Sequence, residues 1–179
     1  MNNIRQLFEE SINVKNKILE TSVFNNLTKM GDEIIDVIQA GNKIMLCGNG
    51  GSASNANHLS CDFFKRISQN TKLKPKVISL CNNIELITAV SNDLKYDKIF
   101  SFQYNRLSHT KDIIIIFTVS GNSKNLIDVA KNAILKKNKI ISFTGKNGGI
   151  IKKLSTININ INSSNYGVVE DIHLSLMHS

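Results

Sequence analysis

His58 and Asp62 stand four residues apart in CGNGGSASNANHLSCDFFKR, behind a turn made of Asn49, Gly50, Gly51 and Ser52. On a helix entered from that turn the imidazole and the carboxylate share one face. So placed, they can be two metal ligands, an acid–base couple for proton transfer, or a solvated ion pair of small energy. A second group closes the sequence, where EDIHLSLMHS supplies Glu170, Asp171, His173 and His178. Spacing pairs His178 with Asp171 as readily as with Glu170, and a helix end favours a cationic histidine in any case. His109, in RLSHTKD, reads as a solvated loop residue.

Three clusters of small polar residues accompany these groups: CGNGGS at 47–52, TVSGNS at 118–123 and TGKNGG at 144–149. Glycines let a backbone close on a ligand, and hydroxyls with free amides at a helix start make an anion site without a lysine. TVSGNS is the best phosphate candidate, because Thr118, Ser120 and Ser123 offer three hydroxyls around the amides of Gly121 and Asn122. Ser52 and Ser123 each fall where a helix N-cap is expected. Any one such cluster is ordinary for a strand-to-helix loop. None contains Gly-x-Gly-x-x-Gly or Gly-Lys-Ser/Thr, which speaks against a dinucleotide or nucleoside triphosphate.

The elements that must position these loops follow from periodicity. Ile4, Leu7, Phe8, Ile12, Ile18 and Leu19 recur at helical spacing, and Leu27, Met30, Ile34, Ile35 and Ile38 do so again before Gly41. Five short apolar runs then appear at 43–47, 76–80, 112–118, 139–145 and 156–161, with helical patterns at about 52–68, 84–90, 96–107, 123–136 and 168–178. Such alternation predicts an α/β fold: a five-stranded parallel sheet between two helical layers, with a helical extension at the N-terminus. The three polar clusters then lie at one edge of the sheet, where ligands bind in such folds.

The sequence has 179 residues, 41% of them hydrophobic, which suits one domain: helices over 1–40 and an α/β core over 41–179. The net charge of +8 comes from 22 basic and 14 acidic residues that are scattered, so an acidic or phosphorylated ligand fits while nucleic acid is not expected. Cys47, Cys61 and Cys81 show no Cys-x-x-Cys spacing, and MNNIRQLFEE lacks the pattern of a signal peptide. The expectation is a reduced, cytoplasmic protein. Its longest purely aliphatic run is Ile113–Ile116, so no membrane span is expected.

CGNGGSASNANHLSCDFFKR, ITAVSNDLKYDKIFSFQ, TVSGNSKNLIDVAKNA, SFTGKNGG and VVEDIHLSLMH resemble, in order and spacing, the motifs of the phosphoheptose isomerases of the sugar isomerase (SIS) superfamily. The resemblance runs from about Gly41 to the end and implies a SIS fold of flavodoxin-like order. It also implies conversion of sedoheptulose 7-phosphate to a manno-heptose 7-phosphate for surface polysaccharide, in a homotetramer with shared active sites, often with zinc. By the same resemblance, Asn49, Gly50, Gly51, Ser52, Asn92 and Asp93 contact sugar, and Thr118, Val119, Ser120 and Ser123 hold phosphate. Asp62 and His178 become the catalytic pair, Glu170 borders the substrate, and His58, Asp62, Glu170 and His178 form the metal site. Four positions depart from the family pattern: Asp62 replaces a glutamate, Glu170 a glutamine, Val168 an arginine and Val119 a hydroxyl. Relatives continue their last helix beyond the position of His178, so a short, frayed last helix is expected. The departures leave two alternatives: another ketose phosphate as substrate, or a non-catalytic SIS binding protein of the kind that assists the bacterial replication initiator.

Overall fold

A computed structural model describes residues 2–179. Helices α1 (Asn2–Leu19) and α2 (Val23–Gln39) precede five strands: β1 (Lys43–Gly48), β2 (Lys76–Ser79), β3 (Ile113–Thr118), β4 (Lys139–Gly145) and β5 (Ile157–Ile161). All strand pairs are parallel, in the order β2-β1-β3-β4-β5. That is the flavodoxin-like order, with crossover helices on both faces. Central β3 is buried throughout, which explains its unbroken IIIIF run.

Alternate residues of each strand feed separate cores. Ile44, Leu46, Ile113, Ile115 and Phe117 pack under α2, α3 (Gly51–Asp62) and α9 (Tyr166–Met177). Met45, Cys47, Ile114 and Ile116 pack on the other face against α5 (Ile84–Asp93), α6 (Ile99–Leu107), α7 (Lys124–Leu135) and α8 (Gly149–Leu154). Side chains alternate across a strand, so one aliphatic run supplies both layers. Among the described residues no helix is long and apolar enough to cross a membrane.

Three elements differ from expectation. The helix expected over 52–68 is α3, then a π-helical turn at Phe63–Ile67 and a last α-helical turn, α4, at Ser68–Asn70. The helix expected from Tyr96 starts as a 3-10 turn, Tyr96–Lys98, and continues as α6. Helix α8 was hidden behind KNGG, being only six residues long and too short to show a period.

Candidate functional site

The β1–α3 turn builds the first wall of the site. Gly50 takes φ +56° as the residue before α3, and the amide of Ser52 already donates to the Asn49 carbonyl at 3.0 Å. Ser52 is therefore inside the helix and not its N-cap, because the glycine turn starts the helix earlier. Its buried hydroxyl donates instead to Glu170 Oε1 on α9 at 3.2 Å. Asn55, one turn on, donates to the Glu170 carbonyl at 3.0 Å. A Cβ at Gly51 would overlap the Glu170 carboxylate, so the glycine leaves that carboxylate its place beside Ser52. Helices α3 and α9 run side by side in the same direction, and this is their N-terminal contact.

Their C-terminal contact is different in kind. His58 Nε2 lies 2.8 Å from His178 Nε2, and Asp62 Oδ2 lies 3.5 Å from the first and 3.4 Å from the second. Ligand atoms of all three fall within 4.8 Å of one another. Asp62 Oδ2 is buried without a hydrogen-bond partner, which is costly unless something else meets it. Two imidazoles and a carboxylate at this spacing fit a dication of the zinc type, with further positions left open for ligand. Asp62 is also the last residue before the π turn, a feature common beside functional groups.

Glu170, the fourth residue of the expected metal site, does not join this triad within one chain. It precedes His178 by eight positions, about 12 Å along a helix, and its carboxylate is held over Gly51 by Ser52.

Between the loops lies a cavity of about 370 Å³, bounded by Asn49, Gly50, Gly51 and Ser52 on one side and by Thr118, Val119, Ser120 and Ser123 on the other, with Tyr166 and Glu170 adding to its wall. Thr118 Oγ1 accepts from the Gly121 amide at 3.1 Å and Ser120 Oγ from the Asn122 amide at 3.2 Å, which shapes the loop. Ser123 is the N-cap of α7, yet its hydroxyl makes no capping bond and stays available to a ligand. Val119 borders the cavity but is only 3% exposed and belongs to the apolar core, so its contribution is chiefly backbone and shape.

Asn92 and Asp93 are not among the residues lining this cavity. They end α5, hydrogen-bonded to each other at 3.0 Å, and Asp93 lines a separate groove of about 420 Å³. The side chain that reaches the site from this segment is Tyr96, whose hydroxyl donates to Asn49 Oδ1 at 3.0 Å. Asn125 does so from α7: its Nδ2 donates to Asn49 Oδ1 at 2.8 Å and its Oδ1 accepts from Asn49 Nδ2 at 3.0 Å. Sequence reasoning missed both. Their only signal was position, Tyr96 three residues past Asp93 and Asn125 two past Ser123.

His173, between Glu170 and His178 on α9, is fully buried against Phe117 and Phe143, with Nε2 3.3 Å from the Thr144 carbonyl. Burial pushes its pKa down to about 4, against the weaker opposing effect of that carbonyl. It is a neutral core residue. Burial also pushes the Cys47 and Cys81 thiols up, so neither is poised as a thiolate nucleophile or ligand.

The SIS domain family profile matches residues 6–145. A phosphoheptose isomerase of Shewanella pealeana is 34% identical over 178 residues, covering 98% of this chain and 89% of that protein. Among solved structures, the phosphoheptose isomerase of Neisseria gonorrhoeae superposes with a TM-score of 0.91 at 26% identity, over 99% of this chain and 94% of the other. That of Francisella tularensis gives 0.89 at 26% identity, over 99% and 93%. With matches of that extent in sequence and in fold, the chain belongs to the phosphoheptose isomerase family of SIS domain proteins.

Proposed function

We propose that the chain is a phosphosugar aldose–ketose isomerase acting on sedoheptulose 7-phosphate to give D-glycero-D-manno-heptose 7-phosphate, a cytoplasmic step toward surface polysaccharide. The observation that carries this reading is the cluster of His58, Asp62 and His178, with Asp62 Oδ2 buried and without a hydrogen bond. The isomerisation needs a base for the proton on the carbon beside the carbonyl, a group that stabilises the enediolate, and a group that returns the proton to the neighbouring carbon. In this reading Asp62 takes the proton, and His178 returns it when no ion is bound at its Nε2. Thr118, Ser120 and Ser123 hold the phosphate, so binding energy far from the reacting carbons fixes their register. Asn49 donates an N–H to the carbonyl oxygen. His58, Asp62 and His178 would hold a zinc ion, whose chemistry is Lewis-acid polarisation of the sugar oxygens.

One dimension of the fold supports shared sites in a homotetramer. Asp62 lies ten positions after Ser52 on the same helix run, about 15 Å away. An open-chain heptose phosphate spans only about 10 Å from phosphorus to its first carbons, so a sugar seated in the cavity does not reach the triad of its own chain. A second copy would supply it. Exposed Ile4, Phe8, Ile12 and Leu19 on α1 offer apolar surface for such assembly.

The test is turnover of sedoheptulose 7-phosphate by the purified protein, with and without zinc or a chelator. Aldose formation that falls on chelation is the expected result, and absence of turnover in both conditions sinks the reading. Co-refolding Asp62→Asn with Ser120→Ala should restore activity that neither variant has alone, since mixed tetramers then contain intact shared sites. Sedimentation as a monomer at micromolar concentration would overturn the assembly.

A further inference from the structure

We infer that Asn125 and Tyr96 are positioning residues that lock the Asn49 carboxamide so that it faces substrate only as a hydrogen-bond donor, an inference that rests on the isomerase reading. The orientation follows from groups whose polarity is not in doubt. The backbone amide of Leu126 can only donate, and it lies 2.9 Å from the Asn125 side-chain atom that must therefore be oxygen. The other end of the Asn125 amide is then NH2, and the atom of Asn49 that it meets at 2.8 Å is an oxygen. Asn49 Nδ2 closes the reciprocal pair onto Asn125 Oδ1 at 3.0 Å. The Tyr96 hydroxyl takes the second lone pair of Asn49 Oδ1 at 3.0 Å.

A carboxamide has two acceptor sites and two N–H donors. At Asn49 both acceptor sites and one donor are spent on protein, so a single N–H remains for whatever enters the cavity that Asn49 lines. A lone donor held against rotation matches an oxygen that gains negative charge as the enediolate forms, and needs no reorganisation when it does. Asn125 is only 1% exposed, so its amide has no water to turn toward. It also stands two residues after Ser123, which ties the donor to the phosphate loop through the first turn of α7. One rigid segment thus sets both ends of the substrate.

Steady-state kinetics of Tyr96→Phe and Asn125→Asp on sedoheptulose 7-phosphate, with inorganic phosphate as a competing inhibitor, test the lock. Tyr96→Phe removes one hydrogen bond and should lower kcat about fivefold. Asn125→Asp sets oxygen against Asn49 Oδ1, which breaks the reciprocal pair in either orientation of the Asn49 amide and frees it to move, and should lower kcat roughly a hundredfold, as for a lost oxyanion donor. KM and the inhibition constant of phosphate should stay within about twofold in both, because Ser120 and Ser123 are untouched. Phosphate inhibition that weakens in step with kcat would overturn the inference, showing that Asn125 only shapes the loop. Unchanged kcat in both variants would overturn it as well. If the parent protein itself shows no turnover, the isomerase reading fails separately, and the lock is read from hydrogen exchange of the Asn49 side-chain amide by NMR. Slow exchange that Tyr96→Phe accelerates supports the lock, and equal exchange in both proteins overturns it.

Discussion

The two contacts between α3 and α9 are made by the same pair of helices and are built on opposite rules. At the N-terminal contact Ser52, Asn55 and Glu170 satisfy one another, and Gly51 leaves room for the Glu170 carboxylate. At the C-terminal contact His58 and His178 keep 46% and 39% of their side-chain surface exposed, and Asp62 Oδ2 has no hydrogen bond. The difference teaches a division of labour. One end spends its polar groups on fixing the register of the helices, and the other, at the same register, leaves two imidazoles and a carboxylate that could hold a metal ion.

The sharpest way to break this contrast is Asp62→Asn, which keeps shape and removes the proton acceptor. Turnover should fall at least about a hundredfold, while unfolding free energy changes by less than about 1 kcal/mol. Zinc stoichiometry measured after dialysis should fall with it. Undiminished turnover would make the C-terminal contact a plain helix end.

Next in size is the acid response of the segment between the two contacts. His173 is neutral in the fold down to about pH 4, whereas the unfolded chain takes up a proton near pH 6.5. Stability from this group is therefore complete above about pH 6.5 and declines as pH falls toward 4, by about 3 kcal/mol at most. Urea denaturation across that window should show the slope, and His173→Phe should flatten it. An unchanged slope in the variant would assign the acid response to other groups.

Smaller effects belong to the N-terminal contact. Ser52→Ala removes the bond to Glu170 and should cost about 1 kcal/mol of stability with kcat nearly unchanged. A kcat loss larger than the stability loss would move Ser52 from register to chemistry. Gly51→Ala should change stability least. The new Cβ displaces the Glu170 carboxylate, a loss of about 1 kcal/mol, while alanine gains a similar amount over glycine in a helix. A net loss well beyond 1 kcal/mol would mean that the backbone of α9, and not only the Glu170 side chain, has to move.

Much of this was legible in the residues. The run Ile113–Phe117 marked β3 because a strand buried on both faces leaves no polar position to interrupt it, while β5 showed instead as an alternation of isoleucine with Asn158 and Asn160. Helical spacing on α3 put His58 and Asp62 on one face, and the SGNS loop stood out by its hydroxyls. What stayed hidden depends on contacts distant in sequence. Ser52 looked like a cap because nothing local shows that Glu170, 118 residues on, would claim its hydroxyl. The resemblance placed Glu170 with the metal ligands, and only helix geometry shows that it stands apart from His178 of its own chain. The lock on Asn49 involves partners 47 and 76 residues away, a distance that no local pattern reports.

That lock also bears on how the protein ages. Asn49–Gly50 and Asn147–Gly148 are its two Asn-Gly steps, the sequence most open to succinimide formation, in which the next backbone nitrogen attacks the side-chain carbonyl. Attack at Asn49 has to break a carboxamide out of three hydrogen bonds, one of them from a residue with almost no access to water. At Asn147 one exposed side-chain bond, to the Gly149 amide, and the backbone bond of Gly148 stand in the way. Peptide mapping of heat-aged protein should therefore find the new acid at 147 before 49. The order matters for shelf life: an aspartate at 49 could no longer donate to Asn125, so the chemical clock of the molecule is slowest at the position where a tick would cost most.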